Sequence, residues 1–112
     1  MQNLFYCKLA GDNARRCLAL ADALRNTPDF LFLEYIFSAE ADIFCFVFLP
    51  VGKSFRFTYD FGWGQFIDSD KNWTKAETAT LEAAVNRIAE NIFQTDYHEN
   101  NLTENPTKAK LK

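Results

Sequence analysis

The clearest alternation of apolar and polar positions lies between Ser54 and Trp63. There Phe55, Phe57, Tyr59, Phe61 and Trp63 fall on one side of an extended chain, and Ser54, Arg56, Thr58, Asp60 and Gly62 fall on the other. Such a pattern predicts a half-exposed strand, placed here at a sheet edge, with Phe61 in the core. Two further strand-like runs precede it, Phe30 to Phe37 and Ile43 to Leu49, both dense in aromatic and aliphatic residues. Ser38 to Asp42 reads as the turn between them. Pro50-Val51-Gly52-Lys53 reads as the next turn, and the Gly62-Trp63-Gly64 stretch as a tight bend that ends the third strand. Leu4 to Leu9 is a short first strand or an apolar lead-in.

Two segments carry a helical period. Cys17, Leu20, Ala21 and Leu24 fall at i, i+3, i+4 and i+7, with Arg15, Arg16, Asp22 and Arg25 on the wet side. Asp12 or Asn13 is placed to cap this helix, and Thr27-Pro28 ends it. The second helix opens on a capping box, Thr74-Lys75-Ala76-Glu77, and runs to about Phe93 with Leu81, Ala84, Val85, Ile88 and Ile92 as its apolar stripe. The fold class expected is therefore α+β: a three- to four-stranded antiparallel meander with two helices on one face, in the order (β)-α-β-β-β-α. Residues 1–97 form a single compact domain, and the polar stretch 98–112 a disordered C-terminal tail.

This sheet holds more apolar surface than two helices can cover. Alternation puts Leu31, Leu33, Tyr35 and Phe37 on one face of the first long strand, and Phe30, Phe32, Glu34 and Ile36 on the other. In the second strand Ile43, Cys45, Val47 and Leu49 oppose Phe44, Phe46 and Phe48. Whichever face the helices take, large side chains remain on the opposite one. Each gains roughly 1.5–3 kcal/mol on full burial, so an uncovered face is expected to bind or dimerise.

Composition sharpens this reading. Of the 18 aromatic residues, 13 lie between Asp29 and Phe66. The net charge of -3 is uneven: residues 1–28 carry four basic against two acidic groups, whereas residues 29–70 carry seven acids against Lys53 and Arg56. An acidic, aromatic sheet argues against docking of nucleic-acid phosphates and favours a basic protein partner. Three cysteines, Cys7, Cys17 and Cys45, with no C-x-x-C spacing, read as reduced small hydrophobes. The start of the chain lacks the pattern of a signal peptide, and no apolar run is long enough to span a bilayer, so a cytoplasmic protein without membrane attachment is expected.

Candidate chemistry is thin. Asp68-Ser69-Asp70-Lys71-Asn72 begins like a calcium loop, but its sixth position is Trp73 and its twelfth Ala79, where glycine and glutamate are required. Asp60-Phe61-Gly62 matches a kinase tripeptide without the rest of a kinase. His98 is the only histidine, so no triad or histidine-based metal site can be assembled. Glu34, among Phe30, Phe32 and Ile36, is the one carboxylate whose setting invites chemistry; the plainer reading is a charge that breaks up an apolar face.

The α-β-β-β-α order resembles the double-stranded-RNA-binding fold, which implies a basic cluster at the start of the last helix. Here that stretch is Lys71-Asn72-Trp73-Thr74-Lys75-Ala76-Glu77. In size and composition the chain resembles toxin-neutralising immunity proteins and phage anti-defence proteins. The expected function is thus a small acidic binding protein, without catalysis or cofactor, that inhibits or sequesters a basic protein or protein complex. The partner-binding residues expected are Glu34, Glu40, Asp42, Tyr59, Asp60, Trp63, Asp68 and Asp70. The alternatives are a homodimeric chaperone or ligand-binding protein whose sheets pack face to face, and an RNA-binding module.

Overall fold

The cleanly alternating strand lies in the interior of the sheet. In the computed structural model, which describes residues 1–104 and side chains as far as Phe93, the elements are β1 (Gln2–Phe5), α1 (Ala14–Arg25), β2 (Phe30–Phe37), β3 (Ala41–Phe48), β4 (Lys53–Asp60), β5 (Gly64–Ser69) and α2 (Lys75–Glu104). One five-stranded antiparallel sheet has the order β1-β5-β4-β3-β2. The class and the meander are as expected, but the strand number is five. β5 adds the extra strand, in a stretch read as a bend and a polar loop, and β1 is a true strand paired with it. Consequently β4 is flanked on both sides, and β2 is an edge.

Short length hid β5. Its six residues, Gly-Gln-Phe-Ile-Asp-Ser, put Gln65, Ile67 and Ser69 on the helix side and Phe66 and Asp68 on the other, so neither face reads as apolar. Polar partners make the burial tolerable. Gln65 is 1% exposed, and its amide accepts from the Cys7 N–H at 3.3 Å and donates to the Cys7 carbonyl. Ser69 donates to the Ser54 carbonyl at 2.6 Å.

The helices share one face. Cys17, Leu20, Ala21 and Leu24 of α1 and Leu81, Val85, Ala89 and Phe93 of α2 form one cluster with Phe30, Phe46, Phe48, Phe55, Phe57 and Ile67. Phe46 and Phe55 stand opposite in the β3–β4 register and stack at 5.5 Å, a cross-strand aromatic pair under the helices. Both helix starts follow local chemistry. The Asn13 side chain accepts from the Arg16 N–H at 3.0 Å. Thr74 and Glu77 form the reciprocal box at 2.9 and 3.1 Å, and Lys53 joins Glu77 at 2.7 Å. The buried line of α2 steps by four from Leu81 to Phe93, with Ala84, Ile88 and Ile92 packed at its margin. The helix continues past its expected end to Glu104; of the tail expected over 98–112, residues 105–112 lie outside the described residues.

A β-bulge in β2 overturns the expected side-chain faces. Phe32 pairs with Phe46 while Glu34 pairs with Cys45, so Leu33 is an extra residue. Before it Phe30 and Phe32 face the helices; after it Tyr35 and Phe37 do. Leu31, Leu33, Glu34 and Ile36 are left on the helix-free face. Simple alternation puts Tyr35 and Phe37 with Leu31 and Leu33, and Glu34 and Ile36 with Phe30 and Phe32; the inserted residue exchanges the faces of the residues that follow it.

Candidate functional site

Two hairpin turns meet at one end of the sheet. In the β2–β3 turn, Ser38 donates its N–H to the Ala41 carbonyl at 3.0 Å, and its hydroxyl accepts from the Glu40 and Ala41 N–H groups. In the β4–β5 turn the Asp60 carboxylate accepts from the Gly62 and Trp63 N–H groups at 2.9 and 3.0 Å, the local bond that favours aspartate before a turn. The Phe61 N–H donates to the Glu40 carbonyl at 2.8 Å and ties the turns together. Behind them lies the β1–α1 loop. Tyr59 donates to the Asp12 carbonyl at 3.2 Å and Tyr6 to the Asp12 carboxylate at 3.3 Å. At Gly64, φ is +90°, a backbone conformation that favours glycine, and a Cβ there would push against the Asp12 carboxylate.

This scaffold displays apolar rings. Trp63 is 87% exposed and Phe61 49%; Phe61 is therefore not core, since β4 ends at Asp60 and alternation stops there. Tyr59 meets Phe61 edge to face at 5.6 Å. Around the rings stand Glu40, Asp60 and Asp42, the last accepting from the Tyr35 hydroxyl. That hydrogen bond, with partial desolvation, raises the Tyr35 phenol above its ordinary value. Burial, then the neighbouring Asp12, does the same for Tyr6.

Five of the eight expected contact residues, Glu40, Asp42, Tyr59, Asp60 and Trp63, are thus brought to one end. The other three lie apart, on the helix-free face. Glu34 is exposed beside the bulge. Asp68 is 3% exposed, and its carboxylate takes both Nε and Nη2 of Arg56 at 3.0 and 3.2 Å, a bidentate pair. Asp70 follows as an exposed residue. Among these three, Asp68 is held for the fold.

Sequence reasoning missed the side chains that tie β1 and β5 to the segments beside them. Besides Gln65, Gln2 accepts from the Trp73 N–H at 2.9 Å and donates to the Trp73 carbonyl at 3.2 Å. Each amide presents one donor and one acceptor, as a peptide unit does, and so extends the ladder where the strand stops. A glutamine in a short run carries no signal of this by itself.

The thiols are poor nucleophiles. All three cysteines are free and buried. Burial pushes Cys7 up and Cys17 to about 12, so both stay protonated at neutral pH. Among the described residues, no group of three or more His, Cys, Asp or Glu is placed to hold a metal, and no helix is long and apolar enough to cross a membrane. Comparison of the chain with protein-family models, curated proteins and solved structures gives no match.

Proposed function

We propose that the protein is a non-catalytic binding protein that inhibits or sequesters a basic protein partner, engaging it with the turn end of the sheet. The observation that carries this reading is Trp63: a tryptophan 87% exposed, on a turn whose backbone is held by Asp60 and by the Phe61–Glu40 bond. An aromatic ring presented by an already ordered backbone loses little entropy on binding, and tryptophan is enriched among residues that dominate interface energy. Glu40, Asp42 and Asp60 surround it with negative charge, which speeds encounter with a basic surface and fixes its orientation.

Affinity capture with wild type, Trp63→Ala and Glu40→Lys in parallel tests the reading. The expected result is a basic protein retained by wild type and weakened by both substitutions. For Trp63→Ala the loss is about 2 kcal/mol or more, roughly thirtyfold in Kd, once the complex is reconstituted from purified components. The melting temperature of both variants stays at the wild-type value, because neither side chain is in the core. A stoichiometric partner bound equally well by all three proteins sinks the proposal.

A further inference from the structure

The geometry points to a second copy of this chain as the occupant of the β2 edge, the two β2 strands pairing antiparallel about a two-fold axis between Leu33 and Glu34. This is independent of the turn-end reading.

The backbone is set for it. The Leu49 N–H donates to the Asp29 carbonyl and the Ser38 N–H to the Ala41 carbonyl. Together with the register of Leu31 on Val47, Glu34 on Cys45 and Ile36 on Ile43, these bonds fix which residues turn their peptide groups toward β3. Ladder alternation then aims the peptide groups of Phe32, Tyr35 and Phe37, and the Phe30 carbonyl, away from the sheet. No strand among the described residues pairs with them, since β2 ends the strand order. A two-fold axis between Leu33 and Glu34 sets Phe32 against Tyr35 of the second copy and Phe30 against Phe37. Phe32 and Tyr35 can thus exchange both main-chain bonds, and the Phe30 carbonyl can accept from the Phe37 N–H, the Phe30 N–H being held by the Thr27 carbonyl.

The side chains are self-complementary in that register. On the helix side, aromatic meets aromatic: Phe32 with Tyr35, and Phe30 with Phe37, which is 69% exposed in one copy alone. On the helix-free side, Leu31 meets Ile36 of the second copy, two aliphatics 49% and 40% exposed. Charges also match across the seam. The Arg25 guanidinium lies 4.5 Å over the Phe32 ring, and the Tyr35–Asp42 pair of the second copy stands two strand spacings away, about 10 Å, roughly one Debye length. Asp22 beside Arg25 and the two Glu34 carboxylates flanking the axis oppose this, and they hold the association to modest strength.

The area is sufficient. Leu18, Leu31, Leu33, Tyr35, Ile36 and Phe37 are each 40–69% exposed. At roughly 100 Å² apiece they supply about 600 Å² per copy, or ~1,200 Å² for the pair, the lower end of specific interfaces. That area, an upper bound, fits a weak dimer, and the dissociation constant expected is in the micromolar range.

Sedimentation velocity of the full chain across the micromolar range tests this, with two double variants at exposed positions of the seam. Wild type is expected to move from a mass of 12.9 kDa to twice that. Leu31→Lys with Ile36→Lys sets like charges opposite each other twice and raises the dissociation constant about tenfold or more. Leu31→Lys with Ile36→Glu sets opposite charges in the same places and restores association, a result that only this register gives. Circular dichroism melts keep all three proteins comparable as folded protomers. Wild type monomeric throughout the range overturns the proposal, as does a dimer indifferent to both double variants. Equal behaviour of the two double variants overturns the register.

Discussion

Both outer strands lack a neighbour on one side among the described residues, but they differ in length and chemistry: β1 is four residues, with glutamine side chains bonded to the backbone around it, whereas β2 runs eight residues. Gln65 and Gln2 bind backbone N–H and C=O groups at Cys7 and Trp73 as a neighbouring strand would. Within β2, one bulge and one charged residue, Glu34, protect that edge against pairing. Between Leu31 and Phe37 every residue but Phe32 is exposed. Closure by side chains spends buried polar groups on stability, whereas an apolar rim keeps its backbone groups available. The difference ties the β1 side to the fold and is the reason the β2 side is the one proposed for association.

Truncation probes that contrast most strongly. Ile67 in β5 is fully buried beneath the helices, and Ile67→Ala is expected to destabilise by about 3–4 kcal/mol in urea unfolding. Leu31→Ala in β2, at a concentration low enough to keep the chain monomeric, is expected to cost under ~1 kcal/mol. Comparable losses at the two sites would mean that β2 is covered in solution.

Removing the amide closure should come next. Gln65→Leu leaves the Cys7 N–H buried without its partner, while the Cys7 carbonyl keeps the Ala10 and Gly11 N–H groups, for an expected loss of about 1–2 kcal/mol. Hydrogen exchange should then rise first along β1 and β5, with β2 and β3 unchanged. An unchanged urea midpoint would show that water replaces the amide and that this edge is not sealed.

The smallest effect is a pH dependence. Lys53, then the Thr74 N–H, hold the Glu77 carboxyl below its usual range. A lowered folded-state value stabilises fully above the unfolded-state value of about 4.3 and fades as pH falls through the folded one. Wild type should therefore melt above Glu77→Gln at pH 6, and the gap should close on acidification toward pH 3. A gap that is constant with pH would place the effect in the hydrogen bonds alone.

Much of this was readable locally. The capping box at Thr74, the Asn13 cap, the Leu20 and Leu24 stripe and the aromatic face of β4 each depend on residues a few positions apart, and the structure has them all. The aromatic and acidic residues of the turn end were also singled out from the sequence. Their convergence was not visible, because Glu40 and Phe61 meet only when two hairpins lie side by side in the sheet.

The sequence by itself determined the periodic elements, because helical and strand periods, caps and proline stops act within a few residues. Only the tertiary structure decided which strand is an edge, which face of β2 meets the helices, and which polar side chains are buried. The bulge at Leu33 is the physical reason for the second: one inserted residue costs little locally, yet it reverses the direction of every side chain that follows. The burial of Gln65 and Asp68 has the same kind of cause. Their partners, Cys7 and Arg56, are 58 and 12 residues away, and no window along the chain joins them before the sheet does.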